Sequence, residues 1–168
     1  MIENELKYVL KDDARKVIEK NCGKPMMLRQ GYLPGKARIR SKSKVGSKKE
    51  KYFFTYKLPV EDVLFEIEKE IAAHEFDVLW PHTTKRLNKL RYMYVDGDVQ
   101  WDIDFFLRQD GSIYFAMAEA EMPEEMRTPS RIPNFIKSVL VYKVPRDRTK
   151  EFTSQKVADP DYAAGLSY

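Results

Sequence analysis

The sequence predicts an α+β domain that is mainly antiparallel β: an eight-stranded closed barrel with helices packed outside it. Three observations lead there. Period-2 alternation of apolar and charged residues, the mark of strands with two unlike faces, recurs about eight times along the 168 residues. Turn signals separate these stretches, at Pro34-Gly35, Asp96-Gly97-Asp98 and Asp110-Gly111, the last two in gaps of hairpin length. Helical patterning is sparse by comparison.

The elements follow in chain order. Residues 2–10 set Glu3, Glu5 and Lys7 against Ile2, Leu6, Tyr8 and Leu10, a strand with a charged side. Asp12 or Asp13 is placed to cap a helix running through Ala14, Val17 and Ile18 to Gly23. A second strand is expected over 27–33, and a third over 37–42, where Arg38 and Arg40 flank Ile39. Residues 51–58 set Thr55 and Lys57 against Tyr52, Phe54 and Tyr56. Over 64–71 the charge changes sign: Glu66, Glu68 and Glu70 oppose Phe65, Ile67 and Ile71, with Lys69 on the apolar side. It turns basic again over 87–95, where Lys89 and Arg91 oppose Leu90, Tyr92 and Tyr94. Residues 99–106 set Asp102 and Asp104 against Trp101, Ile103 and Phe105, and residues 113–122 set Glu119 and Glu121 against Ala118, Ala120 and Met122. A further helix is predicted from Pro133 to about Tyr142.

A chain of 168 residues, 43% hydrophobic and 12% aromatic, is long and apolar enough for one domain with its own core. That domain is expected over 1–158, with 159–168 a loose tail. Charged residues make up 33%, above the usual ~25%. The lone Cys22 cannot form an internal disulfide, and the first residues lack the layout of a signal peptide, so a reducing, cytoplasmic setting is expected. No apolar run approaches the ~18 residues of a membrane helix. The net charge is +4, yet 36–51 holds eight Lys or Arg and one Glu, the pattern of a solvated loop or an anion contact.

Residues at i and i+2 of a strand share a face about 6.6 Å apart. Glu3/Glu5, Glu66/Glu68, Asp102/Asp104 and Glu119/Glu121 are therefore adjacent carboxylate pairs, which repel unless something binds them. Arg38/Arg40, Lys57 and Lys89/Arg91 form the matching basic set. If eight strands close into a barrel, apolar faces pack outward on helices and the charged faces line the lumen. Both signs in separate clusters suit an anion that brings cations. Arg and Lys orient phosphate oxygens, Mg²⁺ or Mn²⁺ takes carboxylate and water oxygens, and phosphoryl transfer asks little else of a protein. His74 and His82 are isolated, and no P-loop, dinucleotide fingerprint or nucleophile elbow occurs.

The motifs resemble the CYTH superfamily, the triphosphate tunnel metalloenzymes. Glu3-Asn4-Glu5-Leu6-Lys7 looks like its ExExK signature, and residues 29–33, 38–40, 52–57, 66–68, 79–81, 89–92, 102–104 and 119–121 are similar to successive family segments in the same order. The resemblance implies an eight-stranded tunnel, a divalent metal and a substrate ending in a triphosphate. Carried over by position, Glu3, Glu5, Asp104, Glu119 and Glu121 are the metal candidates. Lys7, Arg38, Arg40, Lys57, Lys89, Arg91 and Lys150 are the phosphate-binding candidates; Glu66, Glu68 and Lys7 are the catalytic ones. Leu64 stands where family members often carry an Arg. The stretch to Ala158 resembles a C-terminal helix that plugs the tunnel.

Among family activities, the 29–33 and 79–81 segments and the short length look most like small bacterial inorganic triphosphatases. Hydrolysis of tripolyphosphate, with nucleoside triphosphates as poorer substrates, is the expected function. A class IV adenylyl cyclase is the alternative, and a non-catalytic polyphosphate- or RNA-binding module the third reading. The expected partner is a small-molecule triphosphate, with a homodimer left open, and neither a membrane nor a nucleic acid.

Overall fold

A computed structural model describes residues 2–168. The chain runs β1 (Glu5–Leu10), α1 (Arg15–Cys22), β2 (Met26–Tyr32), β3 (Ala37–Lys44), β4 (Glu50–Val60), β5 (Val63–Ile71) and α2 (Ala73–Leu79). After a 3₁₀ turn (Trp80–His82) come β6 (Lys85–Asp96), β7 (Val99–Leu107), β8 (Ile113–Glu121), α3 (Asn134–Lys137) and β9 (Leu140–Lys143). A second 3₁₀ turn (Arg146–Glu151), α4 (Ser154–Val157) and α5 (Pro160–Ala164) end it. All nine strands form one antiparallel sheet in the order β5-β4-β3-β2-β6-β7-β8-β1-β9.

The closed barrel expected from the sequence is not what the ladder forms. The sheet has two ends, β5 and β9, and the reason lies on β1. Its last residues, Tyr8, Val9 and Leu10, pair with β9, which takes the edge that a closed barrel would offer to β5. Only the chain start reaches β5, through an isolated Ile2–Phe65 bridge and the Glu3 N–H donated to the Leu64 carbonyl at 3.3 Å. The ninth strand also replaces most of the helix expected from Pro133 to Tyr142: α3 is one turn long, and the β-branched and aromatic run Val139-Leu140-Val141-Tyr142 satisfies its backbone against β1 instead. At α1 the N-cap position is Ala14, with no side-chain cap, so neither Asp12 nor Asp13 caps it.

Register decides which side chains meet. Glu5 pairs with Glu121 and Lys7 with Glu119 across β1 and β8, Asp102 with Glu119 across β7 and β8, and Arg91 with Asp104 across β6 and β7. All these charges lie on one face. The opposite face of β1, β6, β7 and β8 carries Leu6, Tyr8, Tyr92, Trp101, Ile103 and Phe105, all buried, and is covered by Ile18 of α1 and by Ile136 and Val139.

The charged face becomes apolar toward one end. Val9 follows Lys7 on β1, Met117 precedes Glu119 on β8, and Phe106 follows Asp104 on β7. These three form a second buried cluster with Phe152, Val157 and Ala163, so α4 and α5 cap that end. Complete burial of Phe152 and Val157 contributes roughly 1.5–3 kcal/mol each. The tail expected to be loose is therefore packed: α5 is capped by Asp159, and Tyr168 stacks on Tyr142 at 5.3 Å. No helix among the described residues is long and apolar enough to cross a membrane.

The 29–33 and 79–81 segments meet on the outer face of β2. The Arg29 guanidinium lies 4.8 Å from the Trp80 ring and that of Arg86 lies 4.7 Å from it. Gly31 is required there, because a Cβ would stand 2.4 Å from Thr83 Cγ2.

Candidate functional site

Alternation puts every second residue of the strands on the charged face, and the curled sheet wraps that face around a cavity of about 770 Å³. Its wall holds Glu3, Glu5 and Lys7 at the chain start, Arg38 and Arg40 from β3, Lys57 from β4, Glu66 from β5, Lys89 and Arg91 from β6, and Glu119 and Glu121 from β8. Lys150 reaches the same cavity from the second 3₁₀ turn. Two predicted residues do not line it. Glu68 accepts from Thr55 Oγ1 at 3.1 Å and pairs with Lys42 at 3.7 Å, which holds it beside β4. Asp104, fully buried, lies behind the basic wall.

Most of the cations already have carboxylates. Lys89 Nζ stands 2.6 Å from Asp104, and Arg91 holds both Asp104 oxygens and one of Asp102 at 2.7 Å each. Burial pushes the Asp104 carboxyl up, but the charges of Arg91 and Lys89 outweigh it and hold it below its ordinary value. Asp104 thus positions two cations and is saturated by them, so it offers no free oxygen to a metal. Lys7 lies 3.1 Å from Glu5 and 3.6 Å from Glu119, and donates to the Phe152 carbonyl at 3.2 Å. Lys57 bridges Glu3 at 2.6 Å and Glu66 at 3.3 Å, tying the chain start to β4 and β5. Against the effect of burial, a hydrogen bond with Glu3 and the charges of Lys57 and Arg38 bring Glu66 down to about 2.

Arg40 differs. It is 6% exposed and belongs to no ion pair among the described residues, and its Nε has no hydrogen-bond partner. Burial, with the like charges of Arg38 and Arg91, pulls it down to about 9. Arg38 beside it donates only a long bond to Thr55, 3.5 Å, and its Nε too is buried without a partner. A buried guanidinium left in this state is costly unless an anion comes to it.

The carboxylates are crowded on the opposite wall. Burial and the neighbouring Glu119 push Glu5 up to about 8; burial and Asp102 push Glu121 up to about 7. Glu119 is held well below its ordinary value, because Lys7 and Arg91 outweigh its burial. No group of three or more His, Cys, Asp or Glu side chains among the described residues is arranged as a metal site. Glu5 and Glu121, paired across the β1–β8 ladder, still offer hard oxygens: Lys7 is the one cation in ion-pair reach of Glu5 among the described residues, and Glu121 has none. That donor set fits Mg²⁺ or Mn²⁺, which bind one or two carboxylates and complete their shell with water and substrate oxygens.

The resemblance sends the stretch to Ala158 into the tunnel, but among the residues that the chain end brings to the cavity sequence reasoning named only Lys150. Arg146, Thr149, Thr153, Ser154 and Gln155 line it, and Ser154 Oγ accepts from Lys89 at 3.2 Å. They lie in short turns without periodicity, so nothing in the sequence pattern marks them. Tyr32, Ala37, Val63 and Leu64 form an apolar margin.

Comparison with known structures shows the fold alone. The PH1819 protein from Pyrococcus horikoshii OT3 is similar at a TM-score of 0.54 and 22% identity, over 81% of this chain and 85% of that one. The PH1012 protein of the same organism is similar at a TM-score of 0.50 and 14% identity, over 81% and 84%. No protein-family model matches the sequence, and no curated protein does.

Proposed function

We propose that the chain is a divalent-metal-dependent triphosphatase of the triphosphate tunnel type, a member of the CYTH superfamily. The observation that carries the reading is Arg40: a buried guanidinium, facing a cavity beside Arg38, in no ion pair among the described residues and with its Nε unpartnered. In this reading the bridge between the chain start and β5 completes the tunnel wall around the substrate, and α4 and α5 plug its apolar end. A cavity with one basic and one acidic wall binds a polyanion on the first and its counter-cations on the second.

The roles follow from position. Arg38 and Arg40 take the phosphate oxygens, and Lys150 draws the anion in from the open side. Lys89, Arg91 and Lys57, fixed by their carboxylates, present an oriented field rather than free donors. Glu5 and Glu121 hold the cation. When bound, the metal neutralises charge developing on the phosphoryl oxygens. Glu66, held ionised by Lys57 and Arg38, orients the attacking water by accepting its hydrogen bond; its low basicity suits positioning more than proton abstraction. Lys7 stands between Glu5 and Glu119 and keeps their spacing.

The apolar margin of Tyr32, Val63 and Leu64, in a cavity larger than three phosphates fill, favours a second reading: an adenylyl cyclase that seats a nucleoside there. Incubation with tripolyphosphate and with ATP, in Mg²⁺ or Mn²⁺, separates them by product chromatography. Phosphate release, with ADP from ATP and faster turnover of tripolyphosphate, is expected. Cyclic AMP with pyrophosphate as the main products would replace the hydrolase by the cyclase. Absence of both turnover and binding of any triphosphate would overturn the tunnel reading.

A further inference from the structure

A sheet whose charged face turns inward must turn its apolar face outward, and that face needs a cover. α1 and residues 122–139 supply one for β1, β6, β7 and β8, and α2 lies against β3 and β4, where Phe76 meets Tyr52. Among the described residues, the tip of the β4–β5 hairpin has none. There three apolar cross-strand pairs lie side by side, Tyr56 with Ile67, Leu58 with Phe65 and, at the turn where Val63 also edges the cavity, Val60 with Val63. Each of the six side chains is between 38% and 59% exposed. Together they present on the order of 450 Å² of contiguous apolar surface, within the ~300–600 Å² that marks the largest patch of a monomer and often a binding site.

The charges around the patch identify its occupant. Glu61 stands at the hairpin tip with φ 54°, and Lys69 stands on the outer face of β5 at the other end. Both are exposed, and neither has an ion pair among the described residues. Along the chain they lie four residues to either side of Phe65. We propose that this hairpin face is the isologous interface of a homodimer whose two-fold axis passes beside Phe65 and Leu58.

Such an axis exchanges the two ends of the hairpin, and so sets Glu61 of each copy over the partner's Lys69. The same operation lays the Leu58–Phe65 pair on its own copy and the Tyr56–Ile67 pair on the partner copy's Val60–Val63 pair, apolar on apolar throughout. Two patches together bury roughly 900 Å², and with their polar rim they reach the ~1,200 Å² at which specific interfaces begin. A membrane surface fits the face poorly: its rim carries one Lys against the acidic Glu61-Asp62 tip, where anionic lipid asks for an excess of Lys and Arg. Lys57 and Glu66 lie on the inward face of the same two strands, so the dimer would stiffen one wall of the cavity.

Sedimentation of the whole chain over roughly 1–100 µM tests the interface, since a small apolar contact of this size associates in that range. A reversible monomer–dimer equilibrium is expected. Phe65→Glu, and independently Ile67→Lys, should leave monomer at every concentration while circular dichroism and melting temperature stay those of the parent at dilutions where it too is monomeric. Lys69→Glu should weaken the dimer several-fold at low salt, and Glu61→Lys added to it should restore the parent constant. A parent chain that is monomeric throughout, a dimer that survives both apolar substitutions, or a charge reversal that restores nothing would overturn the proposal.

Discussion

Replacing Arg40 by Met removes the buried cation of the cavity that has no carboxylate within ion-pair reach. Its titration point falls from 12.5 to about 9 in the folded chain. At about 1.4 kcal/mol per unit this is a cost to the folded state on the order of 5 kcal/mol, present wherever the guanidinium is charged in both states. Met preserves the length of the stem and discards the charge; imperfect packing returns roughly 1–2 kcal/mol of the gain. The ligand-free variant should therefore melt about 6–16 °C above the parent, at ~2–4 °C per kcal/mol for a domain of this size. The same change removes charge-assisted bonds worth about 1.5–3 kcal/mol each to phosphate oxygens, so tripolyphosphate affinity should fall at least tenfold. Calorimetric melting with and without tripolyphosphate reads both effects at once. A variant that melts below the parent, or that keeps the parent's ligand-induced shift, would refute the reasoning, because Arg40 would then have a partner inside the protein.

The raised carboxyls predict a pH effect of defined sign. Glu5 and Glu121 titrate near 8 and 7 against 4.5 when unfolded, so their contribution is fully present below about 4.5 and is lost as pH rises through 7 to 8. Mg²⁺ or Mn²⁺ should raise the melting temperature at pH 8 and hardly at pH 5, and the Glu5→Gln, Glu121→Gln double variant should lose both that shift and metal-dependent turnover while staying folded. An equal metal shift at both pH values would remove these two residues from the metal site. Phe152→Ala should cost about 3–5 kcal/mol by emptying the cluster that caps the apolar end, measurable by urea denaturation. Gly31→Ala should cost about 1–3 kcal/mol by driving a methyl into Thr83, with the arginine–tryptophan stack outside β2 loosened and the cavity untouched.

Eight of the nine strands were legible because their two faces differ, Lys69 of β5 aside, and because turns with Gly or Pro flank all of them but β1 and β5. The β4–β5 turn shows where such signals fail: Glu61-Asp62 has no glycine, and Glu61 itself takes the left-handed backbone. Residues 140–143 were hidden by length, since four residues carry too little alternation to be told from the end of a helix. The packed tail was hidden for a different reason. Asp159-Pro160 is a sound helix start, but α5 has five residues and holds its place through Ala163 in a cluster built by distant strands.

What the sequence by itself determined is which side chains share a face. A strand admits only two sides, so Glu3, Glu5, Lys7, Arg38, Arg40, Lys57, Glu66, Lys89, Arg91, Glu119 and Glu121 were sorted from the apolar residues by counting alone. Tertiary structure decided which of these charges are already neutralised. Register brings Asp104 against Lys89 and Arg91 and leaves nothing opposite Arg40 but Gln30 and Phe53. It also gave the edge of β1 to β9, and so left the chain start joined to β5 by one bridge. Pairing between strands depends on residues far apart in the chain, and alternation within a strand is blind to it. That is why a free buried guanidinium, the feature on which the functional reading rests, is visible only in the folded chain.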